Sequence, residues 1–312
     1  MKKLFFLLLL NPLFFSFSQD KKIETNEIEV NPLIKGTLFS AEKTKKKPSL
    51  VILIAGSGPT DRNGNTKGTG ENNSLKYLAE GLTNDKTSVF SYDKRIFQQM
   101  KDKNLDEKTL RFEDMIVDAA AVFNYFKAQK KYGKIYFAGH SEGSLVGMIA
   151  ARDQKADGFI SLAGAGRPID EVLLEQIEKQ ATILLEDSKK VMDSLRKGKT
   201  VEIKNPMLNV LFRESVQPYM ISWIKLKPQE EIKKLNIPIL IINGTKDIQV
   251  GENEARILHK ANPKSELVII ENMNHVFKEV KTEEENIKSY SDPSFPVIPI
   301  LIETITKFIS KK

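Results

Sequence analysis

Residues 134–143 read KIYFAGHSEG, and the way this stretch folds decides how the rest of the chain is arranged. Ile135, Tyr136, Phe137 and Ala138 form a short apolar run of strand-prone residues. Gly139-His140-Ser141-Glu142-Gly143 follows and fits G-x-S-x-G. Leu145, Val146, Met148, Ile149 and Ala150 are then spaced for a buried helix. A strand that turns sharply into a helix forces its Ser into a strained backbone conformation, and only small neighbours leave room for it. Gly139 and Gly143 supply that room, so the hydroxyl of Ser141 is expected to stand exposed at the C-terminal edge of a sheet.

Working outward, Leu50-Val51-Ile52-Leu53-Ile54 reads as a strand buried on both faces of a parallel sheet. It runs into the small-residue loop Ala55-Gly56-Ser57-Gly58-Pro59, which continues to about Asn73, a length that is usually functional or mobile. One or two lead-in strands are expected between Ile23 and Ala41, a helix over Leu75 to Leu82 and a strand over Thr87 to Tyr92. A polar, exposed segment to Lys108 and an amphipathic helix over Phe112 to Lys127 follow. Phe159 to Ala163 reads as the next strand, and strands alternating with helices argue an α/β class with a mostly parallel sheet. The alternation then stops. Ile169 to Leu195 reads as one long helical stretch and Leu208 to Leu226 as a second, before the buried strand Ile237 to Ile242. Residues 167–236 are thus expected to be a helical insertion in a core of residues 19–166 and 237–312, either capping the strand ends or padding the sheet edge. Asn253 to Lys260 reads as a helix, Glu266 to Ile270 as the last strand, and Ile300 to Ile309 as a closing helix.

The 312 residues suffice for one large α/β domain with an insertion or for two ordinary domains. A formal charge of +7 is spread thinly, with no basic stripe interleaved with aromatics, so nucleic acid is not an expected partner. With no Cys in the chain, disulfides and thiolate chemistry are excluded. Lys2 and Lys3, the apolar run Leu4 to Leu10 and Ser16-Phe17-Ser18 have the layout of a secretory signal over residues 1–18, with cleavage expected before Gln19. The competing reading is an uncleaved anchor, which the short run interrupted by Asn11-Pro12 disfavours. Export and cleavage imply a periplasmic or secreted protein with no lasting membrane anchor.

A Ser hydroxyl needs a base within hydrogen-bond reach, and the base needs an orienting partner. Of the three His, His140 lies next to Ser141 and cannot easily fold back on it, so it reads as a site-lining or packing residue. His259 sits on a surface helix, and His275 follows the last strand in a loop. The chain order Ser, acid, His therefore favours His275 as base, with Asp247 beyond the strand at Ile242 as the acid that fixes its tautomer. Backbone N–H groups of Ser57 and Glu142 are the candidate oxyanion donors, and Gly56, Gly58 and Arg62 are possible site-lining residues beside His140. The glycine loop is a poor phosphate loop, since no Lys-Ser/Thr follows it. No metal and no cofactor are expected, because no Cys/His cluster or HExxH is present and the acids show no ligand spacing.

With these residues in hand, the chain resembles the α/β-hydrolase superfamily, and most of all its secreted bacterial esterase or serine aminopeptidase-like branch. The resemblance rests on residues 56–65 (GSGPTDRNGN), on Tyr92-Asp93-Lys94-Arg95, on Gly139 to Gly143, on Asn243 to Asp247 and on Asn274-His275. It implies a Ser141–Asp247–His275 triad, a Ser57/Glu142 oxyanion hole, a helical cap and carboxylesterase activity on short acyl esters, with a small-molecule ester as partner. Ile96 departs from the pattern, because many relatives carry Gly after the Arg. A peptidase or acyltransferase on the same triad, or a non-catalytic binding protein, are the other readings.

Overall fold

A computed structural model describes residues 22–66, 68 and 70–311; the expected signal segment and its cleavage point lie outside the described residues. Eight strands form one sheet: β1 (Ile23–Asn31), β2 (Ile34–Ala41), β3 (Ser49–Ile54), β4 (Thr87–Tyr92), β5 (Ile135–His140), β6 (Gly158–Leu162), β7 (Ile239–Gly244) and β8 (Glu266–Ile270). Their spatial order is β1-β2-β4-β3-β5-β6-β7-β8. The β1–β2 hairpin pairs antiparallel to β4, and all pairs from β4 to β8 are parallel.

The continuous apolar runs of the central strands follow from burial on both faces. Leu50, Ile52 and Ile54 of β3 face one apolar layer, and Val51 and Leu53 face the other. Ile135 and Phe137 of β5 alternate with Tyr136 and Ala138 in the same way. Helices α1 (Ser74–Leu82) and α12 (Pro299–Ser310) cover one face. The other face carries α3 (Phe112–Ala128), α4 (Glu142–Gln154) and α10 (Glu252–Ala261). Between α1 and α3, in the stretch read as merely polar, lies the short helix α2 (Arg95–Lys101), whose apolar Ile96, Phe97 and Met100 span barely one turn and are not fully buried.

Between β6 and β7 run α5 (Ile169–Gln180), α6 (Leu185–Arg196), α7 (Asn209–Phe212), α8 (Gln217–Ile224) and α9 (Pro228–Ile232). The single long helix expected over Ile169 to Leu195 is two helices, because the chain leaves helical geometry at Ala181 (φ −151°, ψ 54°). A straight helix of that length would extend about 40 Å. Folding back instead lets Val172 and Ile177 of α5 and Val191, Met192 and Leu195 of α6 share one buried cluster. The second expected stretch is also broken, since Pro218 fits the first turn of α8 but not a helix interior. Gln217 secures the irregular chain before α8: its buried side chain accepts from Val201 N (2.7 Å) and donates to the carbonyls of Val201 and Phe212 (2.8 Å each). The insertion docks on the core where the Phe112 ring stacks on Trp223, centroids 5.4 Å apart, and the Phe112 N–H donates to Ser222 Oγ at 2.8 Å.

The loops after β7 and β8 touch backbone to backbone. A Cβ on Gly244 would lie 1.9 Å from the carbonyl oxygen of Met273, so the contact exists only because position 244 has no side chain. Gly244→Ala should lower stability by about 3 kcal/mol, because backbone rather than a flexible side chain has to move; its denaturant midpoint measured against the wild type checks this.

Candidate active site

At the end of β5 the chain turns into α4 through Ser141, whose backbone (φ 54°, ψ −118°) lies in the region that L-residues avoid. The two flanking glycines permit this for a steric reason. A Cβ on Gly139 would stand 2.0 Å from the Gly143 carbonyl oxygen, and one on Gly143 would stand 2.5 Å from that of Ile54. The turn thus packs against itself and against β3, and Ser141 is pushed out into a cavity of about 290 Å³. Ser57 and Gly58 from the loop after β3 line this cavity too, as do Glu142 and Leu145 at the start of α4. Helices α5 and α8 supply Val172, Tyr219, Met220 and Trp223 to its wall. As the first residue of α4, Glu142 has a backbone N–H with no partner within the helix.

Asp247 and His275 come together, 28 residues apart in sequence, through a 2.8 Å bond from His275 Nδ1 to Asp247 Oδ2. Both side chains are buried. A carboxylate only accepts, so Nδ1 carries the proton and Nε2 keeps its lone pair. The other oxygen, Asp247 Oδ1, accepts the N–H groups of Gln249 (2.9 Å) and Val250 (2.8 Å), which fixes the carboxylate's orientation. Asp247 and Gln249 also face a neighbouring cavity of about 830 Å³.

His140 joins the elbow to the loop of His275. Its Nε2–H donates to the His275 carbonyl at 2.9 Å, and the two imidazoles lie 4.6 Å apart. Burial first, then the nearby His275 and Lys94, hold His140 well below the usual histidine value of 6.5, so it is neutral and structural. Gly56 lies beneath the elbow, where an added Cβ would meet both His140 Nδ1 and Ser141 Cβ at 3.3 Å. The guanidinium of Arg62 is committed elsewhere: Nε and Nη2 donate to Asp93 Oδ2 (3.0 and 2.8 Å), and Nη1 donates to Thr37 (3.0 Å) and Glu27. Arg62 therefore ties the loop after β3 to the ends of β4 and the β1–β2 hairpin. Asp61 and Asn65 brace the same loop. Asp61 Oδ1 accepts the N–H groups of Asn63 and Asn65, and Asn65 Oδ1 accepts those of Asn72 and Asn73, all at 2.8–2.9 Å.

Several positioning residues escaped the sequence reading. Asn286 lies on α11 (Glu283–Ser289), donates to the Lys246 carbonyl (2.8 Å) and accepts from Asn274 Nδ2 (3.0 Å), bridging the Asp247 and His275 loops. The signal was present: Thr282 and Glu285 form a capping box, the T-x-x-E that announces a helix start. Tyr219 is another; burial and the neighbouring Glu142 carboxylate push its phenol well above its ordinary value. Among the described residues no three His, Asp or Glu side chains are grouped to hold a metal ion.

Residues 68–212 match the family described as Serine aminopeptidase, S33, a span that includes Ser141 but neither Asp247 nor His275. Esterase EstD of Thermotoga maritima is 28% identical over 270 residues, which cover 82% of this chain and 60% of that protein. The chain thus spans about 60% of the length of the curated relative it matches. Among solved structures, Est1E from Butyrivibrio proteoclasticus superposes with a TM-score of 0.56 at 17% identity, covering 92% of this chain and 99% of that one. The Pyrococcus furiosus esterase Pf2001 gives 0.55 at 15% identity, covering 93% and 91%.

The buried neutral His140 has a consequence for stability. A histidine whose folded pKa is depressed binds its proton more readily in the unfolded chain, so its contribution is present above about pH 6.5 and is lost as pH falls below that value. As pH falls below about 6.5 the stability of the wild type should fall, by at most about 1.4 kcal/mol per pH unit from this group. His140→Gln should flatten that slope whatever its absolute stability, as denaturant titrations at stepped pH would read. This chain has the α/β-hydrolase fold, with Ser141 at its strand–helix turn and the His275–Asp247 pair in the loops after the last two strands.

Proposed function

We propose that the protein is a serine hydrolase, a carboxylesterase that cleaves short-chain acyl esters of small molecules through a Ser141–His275–Asp247 triad. The observation that carries this reading is the strained Ser141 turn, whose His140 bonds to the His275 carbonyl, together with the bond from His275 Nδ1 to a buried carboxylate. Ser141 Oγ attacks the ester carbonyl carbon while His275 Nε2 takes its proton, and the carbonyl oxygen becomes an oxyanion facing the N–H groups of Ser57 and Glu142. The tetrahedral species collapses, and the alcohol leaves with the proton held by His275. Water, deprotonated by the same nitrogen, then attacks the acyl-enzyme, and Ser141 regains its proton as the carboxylic acid departs. Asp247 holds the tautomer and stabilises the imidazolium.

Residues 167–236 act as a cap in this reading, supported by the side chains that α5 and α8 contribute to the cavity wall. The cavity of about 290 Å³ is at the small end of ligand pockets, which suits a short acyl chain. The similarity to Esterase EstD supports ester chemistry. The aminopeptidase label of the matched family makes peptide hydrolysis the reading to test against it. The layout of residues 1–18 supports export with cleavage before Gln19, leaving a periplasmic or secreted enzyme with no lasting anchor.

Ser141→Ala should lower kcat on p-nitrophenyl butyrate by about 10⁴-fold or more and abolish labelling by a fluorophosphonate; unchanged turnover would refute the triad. Asp247→Asn should cost about 10⁴-fold through the wrong tautomer while the protein stays folded. Faster turnover of aminoacyl anilides than of simple esters would assign the site to a peptidase instead.

A further inference from the structure

The run Asp93-Lys94-Arg95 follows β4, and its three charged side chains reach three different segments. Asp93 holds Arg62, and Arg95 holds Asp114 and Asp118 on α3 at 2.7–2.9 Å. Lys94 alone turns inward and is 8% exposed. Its ammonium donates to Glu142 Oε1 (3.0 Å), to the Gly58 carbonyl (3.1 Å) and to the Gly56 carbonyl. An ammonium has three donors, and here each has an acceptor. Those acceptors belong to the two segments that carry the candidate oxyanion donors, the loop after β3 and the first residue of α4.

Peptide geometry links this contact to the cavity. The Gly56 carbonyl and the Ser57 N–H belong to one planar trans peptide, so they point in opposite directions. A cation fixed on that carbonyl fixes the direction of the N–H on the other side of the peptide plane, and Ser57 lines the cavity that holds Ser141. A charged donor on the carbonyl also polarises the peptide and strengthens its N–H as a donor. The Gly58 carbonyl shares its peptide with Pro59, which has no N–H, so that bond shapes the loop without aiming a donor.

We infer that Lys94 is the positioning residue of the oxyanion hole: its buried ammonium locks the Gly56–Ser57 peptide to Glu142, so that both donors hold one geometry before substrate arrives. The inference rests on the esterase reading above. It assigns a role in the reaction to a lysine that touches neither substrate nor triad.

The test compares p-nitrophenyl butyrate with its thiono counterpart, in which sulfur replaces the carbonyl oxygen. A developing sulfur anion is a poorer hydrogen-bond acceptor, so the thiono ester draws less on the oxyanion donors. Lys94→Met leaves Glu142 buried without a counter-charge, which can disturb folding, so the double variant Lys94→Met/Glu142→Gln is measured beside it. Both should lower kcat on the oxygen ester about 10- to 100-fold, short of the loss from deleting a donor outright. KM should stay within about twofold, and the oxygen-to-thiono ratio of kcat should fall about tenfold. Wild-type kcat in the folded double variant, or equal losses on the two substrates, overturns the role, and so does a double variant that cannot fold. Ser141→Ala tells the two readings apart. If it is inactive while the lysine variants are unaffected, only the clamp is refuted; if it stays active, the esterase reading falls and the clamp with it.

Discussion

The site depends on a backbone contact with no side chain in it. Gly139 and Gly143 approach so closely that a methyl group on either would overlap a carbonyl oxygen, and this approach holds Ser141 at φ 54°. Strain of this kind costs on the order of 1–3 kcal/mol and persists only where its surroundings over-determine it. Here they do. Strand β5 is buried along its whole length, α4 is buried through Ala151, and the carbonyls of Ile54 and Ala55 close the turn from the β3 side. The Ser141 hydroxyl is presented by a well-buried part of the protein, and the other groups of the candidate site surround it.

Those groups arrive by two routes of different physical character. The loop after β3 is held electrostatically, through Arg62 with Asp93 and Glu27 and through Lys94 with Glu142. The histidine loop adds neutral hydrogen bonds to its charged contacts with Asp247 and Lys278: Asn274 to Asn286 and Ser289, Asn286 to the Lys246 carbonyl, and His140 to the His275 carbonyl.

The sheet was legible because strands buried on both faces leave unbroken apolar runs, as in Leu50 to Ile54 and Ile239 to Ile242. The Ser141 turn was legible because its steric demand falls on two glycines at fixed spacing. The pairing of Asp247 with His275 could be expected from chain order alone, since both follow strands of one sheet. The insertion was less legible. Its periodicity gives the buried face of each helix but not where the chain doubles back, and the break at Ala181 carries no Gly or Pro to announce it. The polar clamps were hidden for a further reason: Lys94 and Asn286 look like surface residues in sequence and Arg62 reads as site-lining, and only their partners, dozens of positions away, show them to be ties between segments.

The spacing of these contacts along the chain has a consequence for how the insertion can vary. Lys94 and Glu142 are 48 residues apart, and Arg62 and Asp93 are 31 apart, so the loop half of the site is closed before α5 begins. His140 and the His275 carbonyl are 135 residues apart, and the whole helical insertion lies within that span. The entropy of closing such a loop grows only with the logarithm of its length, about 0.6 kcal/mol for each doubling. Helices between β6 and β7 can therefore lengthen, shorten or be exchanged at small thermodynamic cost while the sheet, the turn and the His275–Asp247 pair stay in register. Topology thus makes the wall of the cavity the most freely remodelled part of a candidate site whose Ser141 turn tolerates little displacement.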